Sequence, residues 1–283
     1  MVLERATIPR NPANKDELFP AEMASETDAA ITLTNVSKWF YGKNNSKVMA
    51  ISGIDLVIKP GAFVSLVGPS GCGKSTVLNC IAGLESVSRG AITCDGKAIN
   101  GINVGIGYMT QRDYLLPNRT VIDNVILPLQ AIGIKKGSAR ARAQDIIHLV
   151  GLEGFEKSVP HELSGGMMKR VALARTLVYK PQILLMDEPF GNVDAQLKLL
   201  LQRLLMSIWK AEQQTVVFVT HDLEEAIALS DQVVVISGRP GSIKEIIEVI
   251  LPRPRDPVSV RFESAFQKLH ERLWSLIDTT GGD

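Results

Sequence analysis

The chain has 283 residues, of which 45% are hydrophobic and 22% charged, and its formal net charge is +1. That balance is typical of a globular protein and lacks the basic excess of a nucleic-acid-binding domain, so no nucleic-acid partner is expected. The apolar runs have the length of strands, well short of the roughly 20 residues that cross a bilayer. Three cysteines without metal-ligand spacing favour a reducing compartment and no structural disulfide.

The first third of the chain is predicted to contain mainly strands. Residues 1–30 are polar, contain three prolines and show no clear period, which predicts a loosely ordered, flexible extension. Short β-like runs follow, and the run at 62–67 leads directly into a glycine-rich loop. A helix is expected at 74–82, immediately after the loop glycines. The predicted strands cover residues 31–36, 48–58, 62–67, 90–96 and 104–109.

The following part of the chain alternates between helices and strands. Helices are predicted at 121–131, 139–150 and 165–178, within a helical insertion at about 114–179. A longer helix at 195–212 separates two strands and carries an apolar stripe. Strands that alternate with helices imply an α/β fold with a mostly parallel sheet. The predicted strands are 182–187, 215–219 and 232–236, and the stripe comprises Leu197, Leu200, Leu201, Leu204 and Ile208.

The C-terminal tail, residues 252–283, contains one predicted helix. Five apolar residues recur there at helical spacing. A helix packed on its own domain accounts for this stripe, and a docking surface for another protein is the alternative. The stripe comprises Phe262, Phe266, Leu269, Leu273 and Ile277.

A phosphate-binding loop begins at Gly68. The pattern Gly68-x-x-x-x-Gly73-Lys74-Ser75 follows a hydrophobic strand and precedes the predicted helix, which is the setting of a P-loop. Its glycines let backbone N–H groups point at phosphates, and the helix start adds partial positive charge. Lys74 would reach the β- and γ-phosphates, and the Ser75 hydroxyl would ligate Mg²⁺. The nucleotide contacts predicted in this loop are Gly68, Pro69, Ser70, Gly71, Cys72, Gly73, Lys74, Ser75 and Thr76.

Two carboxylates, Asp187 and Glu188, stand at the end of the strand predicted at 182–187. In doubly wound sheets ligands bind at the carboxyl ends of strands, where the P-loop also lies. Asp187 therefore suits the coordination shell of Mg²⁺. Glu188, one residue further, can face the γ-phosphate and orient or deprotonate the attacking water, a role that contributes roughly 10²–10⁴-fold.

His221 follows the strand predicted at 215–219 and precedes a helix. An imidazole at that point can donate to the γ-phosphate and stabilise charge during transfer. Gln111 ends another strand-like segment and can reach metal or water with its amide, although spacing alone leaves that role open. The predicted catalytic residues are Glu188, His221, Lys74 and Gln111, and the predicted Mg²⁺ ligands are Ser75, Gln111 and Asp187.

A second anion-binding loop is predicted at Leu163-Ser164-Gly165-Gly166, where Ser-Gly-Gly opens a helix. One chain has no obvious use for two such loops on a single triphosphate. A head-to-tail dimer does, because each loop would then close the other subunit's site. A simple helix cap with glycines is the alternative. The nucleotide contacts predicted here are Ser164, Gly165 and Gly166.

With these motifs in order and suitably spaced, the chain resembles the ATP-binding subunits of ABC transporters over about residues 31–251. The resemblance implies a P-loop NTPase fold of the ABC type. Such a fold has a mixed, mainly parallel sheet, an N-terminal antiparallel β region and an inserted helical subdomain. The ligands implied by the resemblance are ATP and Mg²⁺.

The resemblance also assigns roles that the spacing leaves open. Gln111 would link the site to a membrane subunit, and residues 190–194 would communicate across the dimer. The aromatic side chain that stacks on adenine is expected at Phe40, with Trp39 and Tyr41 as alternates.

Three segments are similar to one branch of the family, the importers of nitrate, sulfonate, taurine and bicarbonate. Met167 follows the Leu163-Ser164-Gly165-Gly166 segment, which corresponds to the signature motif of the family. Most members have Gln at this position, and Met is familiar there in that branch. The sequences of residues 108–117 and 251–255 also resemble those of this group. Asn192-Val193 departs from a more common Ala-Leu, but the catalytic residues are all present.

The expected protein is therefore an ATPase subunit of an importer of a small anionic solute, bound peripherally at the cytoplasmic face of the cell (inner) membrane. Two copies, or this chain and a similar one, would sandwich two ATP molecules. The surface at 112–121 would receive a helix from a transmembrane permease, and a periplasmic or extracellular solute-binding protein would be an indirect partner.

Two alternatives remain at this point: an exporter subunit, and an ABC ATPase without a role in transport. The types that act in DNA repair carry a long coiled coil between the two halves of the site. Lys74 and Asp187 are only 113 residues apart, which leaves no room for such an insertion.

Overall fold

The computed structural model describes residues 29–42, 45–191 and 193–278, so all but the last two residues of the predicted extension at 1–30 lie outside the described part. Within the described residues no helix is long and apolar enough to cross a membrane. The strands are β1 (Ile31–Tyr41), β2 (Lys47–Ile58), β3 (Phe63–Val67), β4 (Arg89–Cys94), β5 (Lys97–Ala98), β6 (Ile106–Met109), β7 (Ile183–Asp187), β8 (Thr215–Val219), β9 (Gln232–Ile236) and β10 (Ile243–Glu248). The helices are α1 (Lys74–Ile81), α2 (Val121–Ala131), α3 (Lys136–Leu149), α4 (Gly165–Leu177), α5 (Ala195–Glu212), α6 (Leu223–Leu229) and α7 (Ser264–Asp278), with 3-10 helices at Pro160–Glu162 and Ser259–Phe262.

The strands form two sheets. The first has the order β2-β1-β4-β5 and is antiparallel. The second has the order β10-β9-β3-β8-β7-β6 and is parallel except for β10, which runs antiparallel to β9. β3, β7 and β8 are buried at every residue, as expected of parallel strands covered on both faces. The predicted fold class, with its mainly parallel core and N-terminal antiparallel region, is confirmed.

Helices α2, α3 and α4 form a helical unit between β6 and β7 with an apolar core of its own. Helix α2 begins after Thr120, whose hydroxyl accepts a hydrogen bond from the N–H of Asp123 at 3.3 Å. The buried amide of Asn124 accepts from the N–H of Leu116 at 2.8 Å and fixes the loop that enters the helix. The core of the unit includes Val125, Leu129, Ala143, Ile147 and Val171.

Two elements differ from their predicted form. β1 continues to Tyr41 instead of ending at residue 36, because its second half pairs with β2, Phe40 lying opposite Val48. On α5 four of the five predicted stripe residues belong to or pack against a core cluster, but Leu200 is 50% exposed and Leu205, outside the predicted stripe, is fully buried. The buried face of α5 therefore follows the four-residue spacing that packs against the sheet.

The C-terminal helix α7 packs on its own domain, against α6 and β9. Phe266 and Leu273 are buried in one cluster with residues of α6, β9 and β10. Phe262, the first residue of the predicted stripe, is 80% exposed and precedes the helix. The stripe therefore serves intramolecular packing from Phe266 onward.

Arg255 joins the start of the tail to the rest of the fold. It is only 9% exposed, and its guanidinium donates five hydrogen bonds to backbone carbonyls. Burial lowers the pKa of Arg255 to about 10, with a further contribution from Arg253, so the group stays charged at neutral pH. The accepting carbonyls belong to Ile227, Ser230, Val249 and Leu251.

We expect Arg255→Met to lower the free energy of unfolding by about 2–4 kcal/mol, because the variant leaves several buried carbonyls without their donor. Urea unfolding of the nucleotide-free chain measures this change. The matched control is Arg203→Ala, because Arg203 is 56% exposed and forms a surface ion pair with Asp256. That control should cost less than about 1 kcal/mol. Equal losses in the two variants would contradict the anchoring role of Arg255.

Candidate functional site

The glycine-rich loop at 68–73 connects the carboxyl end of β3 to the N-terminus of α1. Gly68 passes so close to β9 that a Cβ there would lie 2.4 Å from the carbonyl oxygen of Ile236. Any larger residue would have to displace a backbone, so the path of the loop depends on glycine at this position. The predicted strand, loop and helix of a P-loop are all present in order.

Lys74, the first residue of α1, is buried with 7% exposure. Its ammonium donates to the carbonyl oxygens of Gly68 at 2.8 Å and Pro69 at 2.9 Å. The charge of the lysine is therefore held within the loop, next to the backbone that would surround a phosphate.

Asp187 ends β7 and is 6% exposed. Burial raises the pKa of Asp187 above its usual range, and a hydrogen bond with Ser75 acts in the opposite direction. That hydrogen bond connects the carboxylate to α1, directly after the P-loop. A hydroxyl and a carboxylate side by side supply the oxygen ligands that Mg²⁺ prefers.

Glu188 lies between the side chains of Gln111 and His221. The Gln111 amide donates to one carboxylate oxygen at 3.2 Å, and His221 Nδ1 is 3.5 Å from the other. The backbone of Glu188 has a φ of 46°, a conformation unusual for a residue with a side chain. Three of the four predicted catalytic residues are thus in contact, Gln111 and His221 each with Glu188, and Lys74 lies at the start of α1.

A polar cluster lies behind His221 and lines a cavity of about 210 Å³ next to Glu188. The ammonium of Lys198, on α5, is 2.7 Å from Asp222 and 3.4 Å from Glu225. Burial acts to raise the pKa of Asp222, but its hydrogen bond with Lys198 is among the contacts that bring the pKa below the usual value. The cluster therefore connects α5 to the segment that carries His221.

Helix α4 is attached to the segment that follows Gln111. Lys169 donates to the carbonyl oxygen of Gln111 at 3.1 Å and pairs with Asp113 at 3.2 Å. Arg175 donates to the carbonyl oxygens of Asp113 at 2.6 Å and Tyr114 at 2.9 Å. Helix α4 is therefore bonded directly to the backbone of Gln111 and of the two residues that follow Arg112.

The segment predicted as a second anion-binding loop is the N-terminus of α4. Ser164 is exposed and caps α4, its hydroxyl accepting from the N–H of Met167 at 3.3 Å. Gly166 is next to α5, since a Cβ there would lie 2.5 Å from a methyl group of Leu197. Among the hydrogen bonds of the described residues, none joins Ser164, Gly165 or Gly166 to the P-loop.

The three candidate adenine contacts are the last three residues of β1. Phe40 is 40% exposed, and the ammonium of Lys38 is 4.9 Å from the centre of its ring. Trp39 is covered by the ammonium of Lys47 at 3.7 Å. Tyr41 is 66% exposed. Phe40 and Tyr41 therefore offer ring surface, while one face of Trp39 is already occupied.

Several polar residues of the site gave no signal in the sequence. Four of them lie on helices, where charged residues are ordinary, and the partners in these contacts are 24 or more residues away. The four are Lys198, Glu225, Lys169 and Arg175. Contacts of that kind depend on the packing of helices, which no local motif encodes. Asp194 caps α5 by accepting from the N–H of Leu197 at 3.0 Å, and the neighbouring residue 192 of the predicted 190–194 segment lies outside the described part.

The geometry is that of a P-loop ATPase, in which parallel strands bring a phosphate loop and two carboxylates to one edge of the sheet. Residues 51–191 match the family model described as ABC transporter. The chain is 48% identical over 219 residues to an uncharacterized ABC transporter ATP-binding protein of Methanocaldococcus jannaschii, covering 77% of this chain and 82% of the relative.

Two further relatives have more specific names. The aliphatic sulfonates import ATP-binding protein SsuB of Bacillus cereus is 41% identical, with 86% of this chain and 95% of the relative covered. The taurine import ATP-binding protein TauB of Rhizobium johnstonii is 40% identical, with 88% and 97% covered. Among solved structures, a dimeric post-hydrolysis state of the ATP-binding cassette MJ0796 with ADP and Pi gives a TM-score of 0.71 at 31% identity, covering 77% of this chain and 98% of the other.

The chain therefore belongs to the family of ABC transporter ATP-binding proteins, and the resemblance inferred from its motifs is confirmed. As a member of that family it binds ATP and is an ATPase.

We expect Asp187→Asn to abolish ATP hydrolysis and to raise the melting temperature of the nucleotide-free chain. Burial makes the charged carboxylate unfavourable, and the amide removes that charge. Because the folded-state pKa lies above the unfolded value of 3.8, the stability penalty is complete above the folded pKa and disappears as the pH falls through it. The rise should be a few degrees at most, since about 1 kcal/mol corresponds to roughly 2–4 °C in a chain of this size.

Differential scanning calorimetry of the variant and the parent chain between pH 7.5 and pH 4 tests this expectation. The difference in melting temperature should be largest at the upper pH and should shrink toward the lower one. A lower melting temperature of the variant at neutral pH would contradict the stated cost of the buried charge.

Proposed function

We propose that this chain is the ATP-hydrolysing subunit of an ABC importer for a small anionic solute. The observation that carries the proposal is the position of Glu188, held between Gln111 and His221 and one residue beyond an Asp187 that bonds Ser75. This arrangement provides a base, a phosphate loop and a cation site at one edge of the sheet.

The P-loop and α1 would hold the triphosphate. Lys74 exchanges the carbonyls of Gly68 and Pro69 for phosphate oxygens, and the loop N–H groups supply further donors. Ser75 and Asp187 would hold Mg²⁺, with Gln111 as a further oxygen ligand, and these donors fit a hard cation. When bound, Mg²⁺ neutralises negative charge on the β- and γ-phosphates. The exposed ring of Phe40 is the proposed platform for adenine.

Hydrolysis would begin at the carboxylate of Glu188. It accepts a proton from a water molecule, whose oxygen forms a bond to the γ-phosphorus while the bond to the β–γ bridging oxygen breaks. His221 donates a hydrogen bond to the γ-phosphate and stabilises its charge. Gln111 fixes the carboxylate by its hydrogen bond at 3.2 Å, so the base is oriented before the nucleotide arrives.

A second ATP-binding subunit, proposed here to be another copy of this chain, would complete each site. Ser164, Gly165 and Gly166 would form an anion-binding helix start, and within the described residues no hydrogen bond joins them to the chain's own P-loop. The dimeric solved cassette, 31% identical to this chain, supports a partner of the same kind. In such a dimer each helix start of α4 would face the γ-phosphate bound by the other subunit.

The segment after Gln111 is the proposed contact with a transmembrane permease. It lies between the ATP site and the helical unit, and Lys169 and Arg175 attach it to α4. The chain would therefore work at the cytoplasmic face of the membrane as a peripheral subunit. A solute-binding protein on the other side would deliver the cargo. The names of the sulfonate and taurine relatives support an importer of small anions over an exporter or an ATPase without a transport role.

We expect Glu188→Gln to retain ATP binding within a few-fold while its turnover falls by roughly 10²-fold or more. The amide keeps the shape and one hydrogen bond of the side chain but cannot accept the proton. ATP that is bound but not hydrolysed should therefore hold the dimer together. Phosphate release and light scattering in the presence of MgATP measure the two effects.

The control for this variant is Glu153→Gln, which changes an exposed carboxylate paired with His148 on the helical unit. It should leave both turnover and oligomeric state unchanged. Normal turnover in Glu188→Gln would remove the assignment of the base.

The transport role is tested by affinity purification of the tagged chain from detergent-solubilised native membranes. A co-purified protein with several membrane spans, together with a solute-binding protein, would support the importer. Recovery only from the aqueous fraction, with ribosomal or nucleic-acid partners, would overturn transport and leave the ATPase chemistry standing.

A further inference from the structure

The turn between β9 and β10, residues 237–242, has no role in the mechanism above, yet it lies against the P-loop. Its two ends are joined by hydrogen bonds. The N–H of Ser237 donates to the carbonyl of Ser242 at 2.9 Å, and the two hydroxyl oxygens are 2.9 Å apart. The turn is therefore closed on itself and presents its middle residues as a unit.

Arg239, in the middle of this turn, binds the outer side of the P-loop. Its Nε donates to the carbonyl oxygen of Gly71 at 2.7 Å. The guanidinium covers the same residue, since a Cβ at Gly71 would lie 2.6 Å from its Nη2 atom. Among the ion pairs of the described residues none includes Arg239, and the carbonyl of Gly71 is the polar partner of its Nε.

Gly241 fixes the turn between the P-loop and β2. A Cβ at this residue would lie 1.9 Å from the carbonyl oxygen of Cys72, so no other residue allows so close an approach. Its N–H donates to the carbonyl of Ala50 at 2.9 Å, and its carbonyl accepts from the N–H of Ser52 at 2.8 Å. The position of Arg239 is thus set by backbone bonds to a strand of the other sheet.

The bond from Arg239 determines the direction of one peptide group in the cradle. The carbonyl of Gly71 and the N–H of Cys72 belong to the same planar peptide and point in opposite directions. With the carbonyl held outward, the N–H faces the loop interior, where it is 3.3 Å from the carbonyl of Pro69. That contact is at the long end for a hydrogen bond, so a phosphate oxygen can replace it at little cost.

We propose that Arg239 is a positioning residue of the P-loop, which holds the Gly71–Cys72 peptide with its N–H directed at the bound phosphates. Charge-assisted hydrogen bonds are stronger than neutral ones, so this bond outweighs the weak one inside the loop. The effect falls on nucleotide binding and not on the water-activating carboxylate, because Arg239 touches neither Glu188 nor its partners. The proposal rests on the proposed ATP-binding role of the P-loop.

The test uses Arg239→Ala and Arg239→Lys in the full chain, with Arg203→Ala as a control on a remote surface. Isothermal titration with MgATP and with MgADP measures affinity, and steady-state hydrolysis separates KM from kcat. Arg239→Ala should raise Kd for both nucleotides and KM by about 3–30-fold, from the loss of one charged hydrogen bond. The kcat value should change less than about 2-fold. Arg239→Lys, which restores a charged donor, should recover part of the affinity.

A merely structural role of Arg239 predicts a different pattern. The melting temperature of the nucleotide-free chain would then fall in Arg239→Ala, while the Kd of the folded fraction would match the parent. Positioning predicts an unchanged melting temperature without nucleotide and a smaller increase on adding MgATP. Equal Kd values in parent and Arg239→Ala overturn the proposal. Failure of the parent chain itself to bind MgATP would instead overturn the proposed function.

Discussion

The register between β7 and β8 is the constraint from which the geometry of the catalytic edge follows. Asp187 lies opposite Val219 in this parallel pair, so both strands end at the same level of the sheet. The N–H of Glu188 donates to the carbonyl of Val219 at 3.0 Å, which extends the ladder by one residue. The chain then turns at a φ of 46°, a conformation that costs of order 1–3 kcal/mol and persists only where the surrounding structure holds it. The ladder bond is one such contact, and the carboxylate that follows lies 3.5 Å from His221.

Charge at this edge is held at a cost in stability. Asp187 is buried beside Ser75, and burial raises its pKa, which means that the ionised form is less favourable than in water. Glu225, behind His221, is also buried and its pKa is raised, although Lys198 and the hydroxyl of Thr220 oppose the shift. Hydrogen bonds from Gln202 and Thr220 to the carboxylate of Glu225 offset part of this cost. Their presence agrees with the proposed role of this edge, where Asp187 would hold a cation beside Glu188 and His221.

The sequence was most informative where chemistry demands residues at fixed local spacing. The P-loop and the strand ends at Asp187 and His221 could be placed because a short motif contains both the element and its functional residue. Leu200 shows the limit: a stripe of leucines on α5 does not say which face meets the sheet, since several rotations fit the same spacing. Contacts between distant elements, such as Lys169 with Gln111, could not be predicted, because they depend on the angle at which helices pack.

Different parts of the fold hold the P-loop, Glu188 and Gln111. The P-loop is fixed between β2 and the β9–β10 turn, and Glu188 is fixed by the sheet. Gln111 belongs to neither support, because its backbone is bound by Lys169 of α4. Its amide nevertheless contacts Glu188 at 3.2 Å, near the upper limit of a good hydrogen bond. A shift of the helical unit relative to the sheet would therefore change this contact directly, because one of its partners is attached to each part. Since a ligand shifts a conformational equilibrium only by its unequal affinity for the two states, a phosphate bridging the P-loop and the α4 N-terminus of a second chain would bias that position directly.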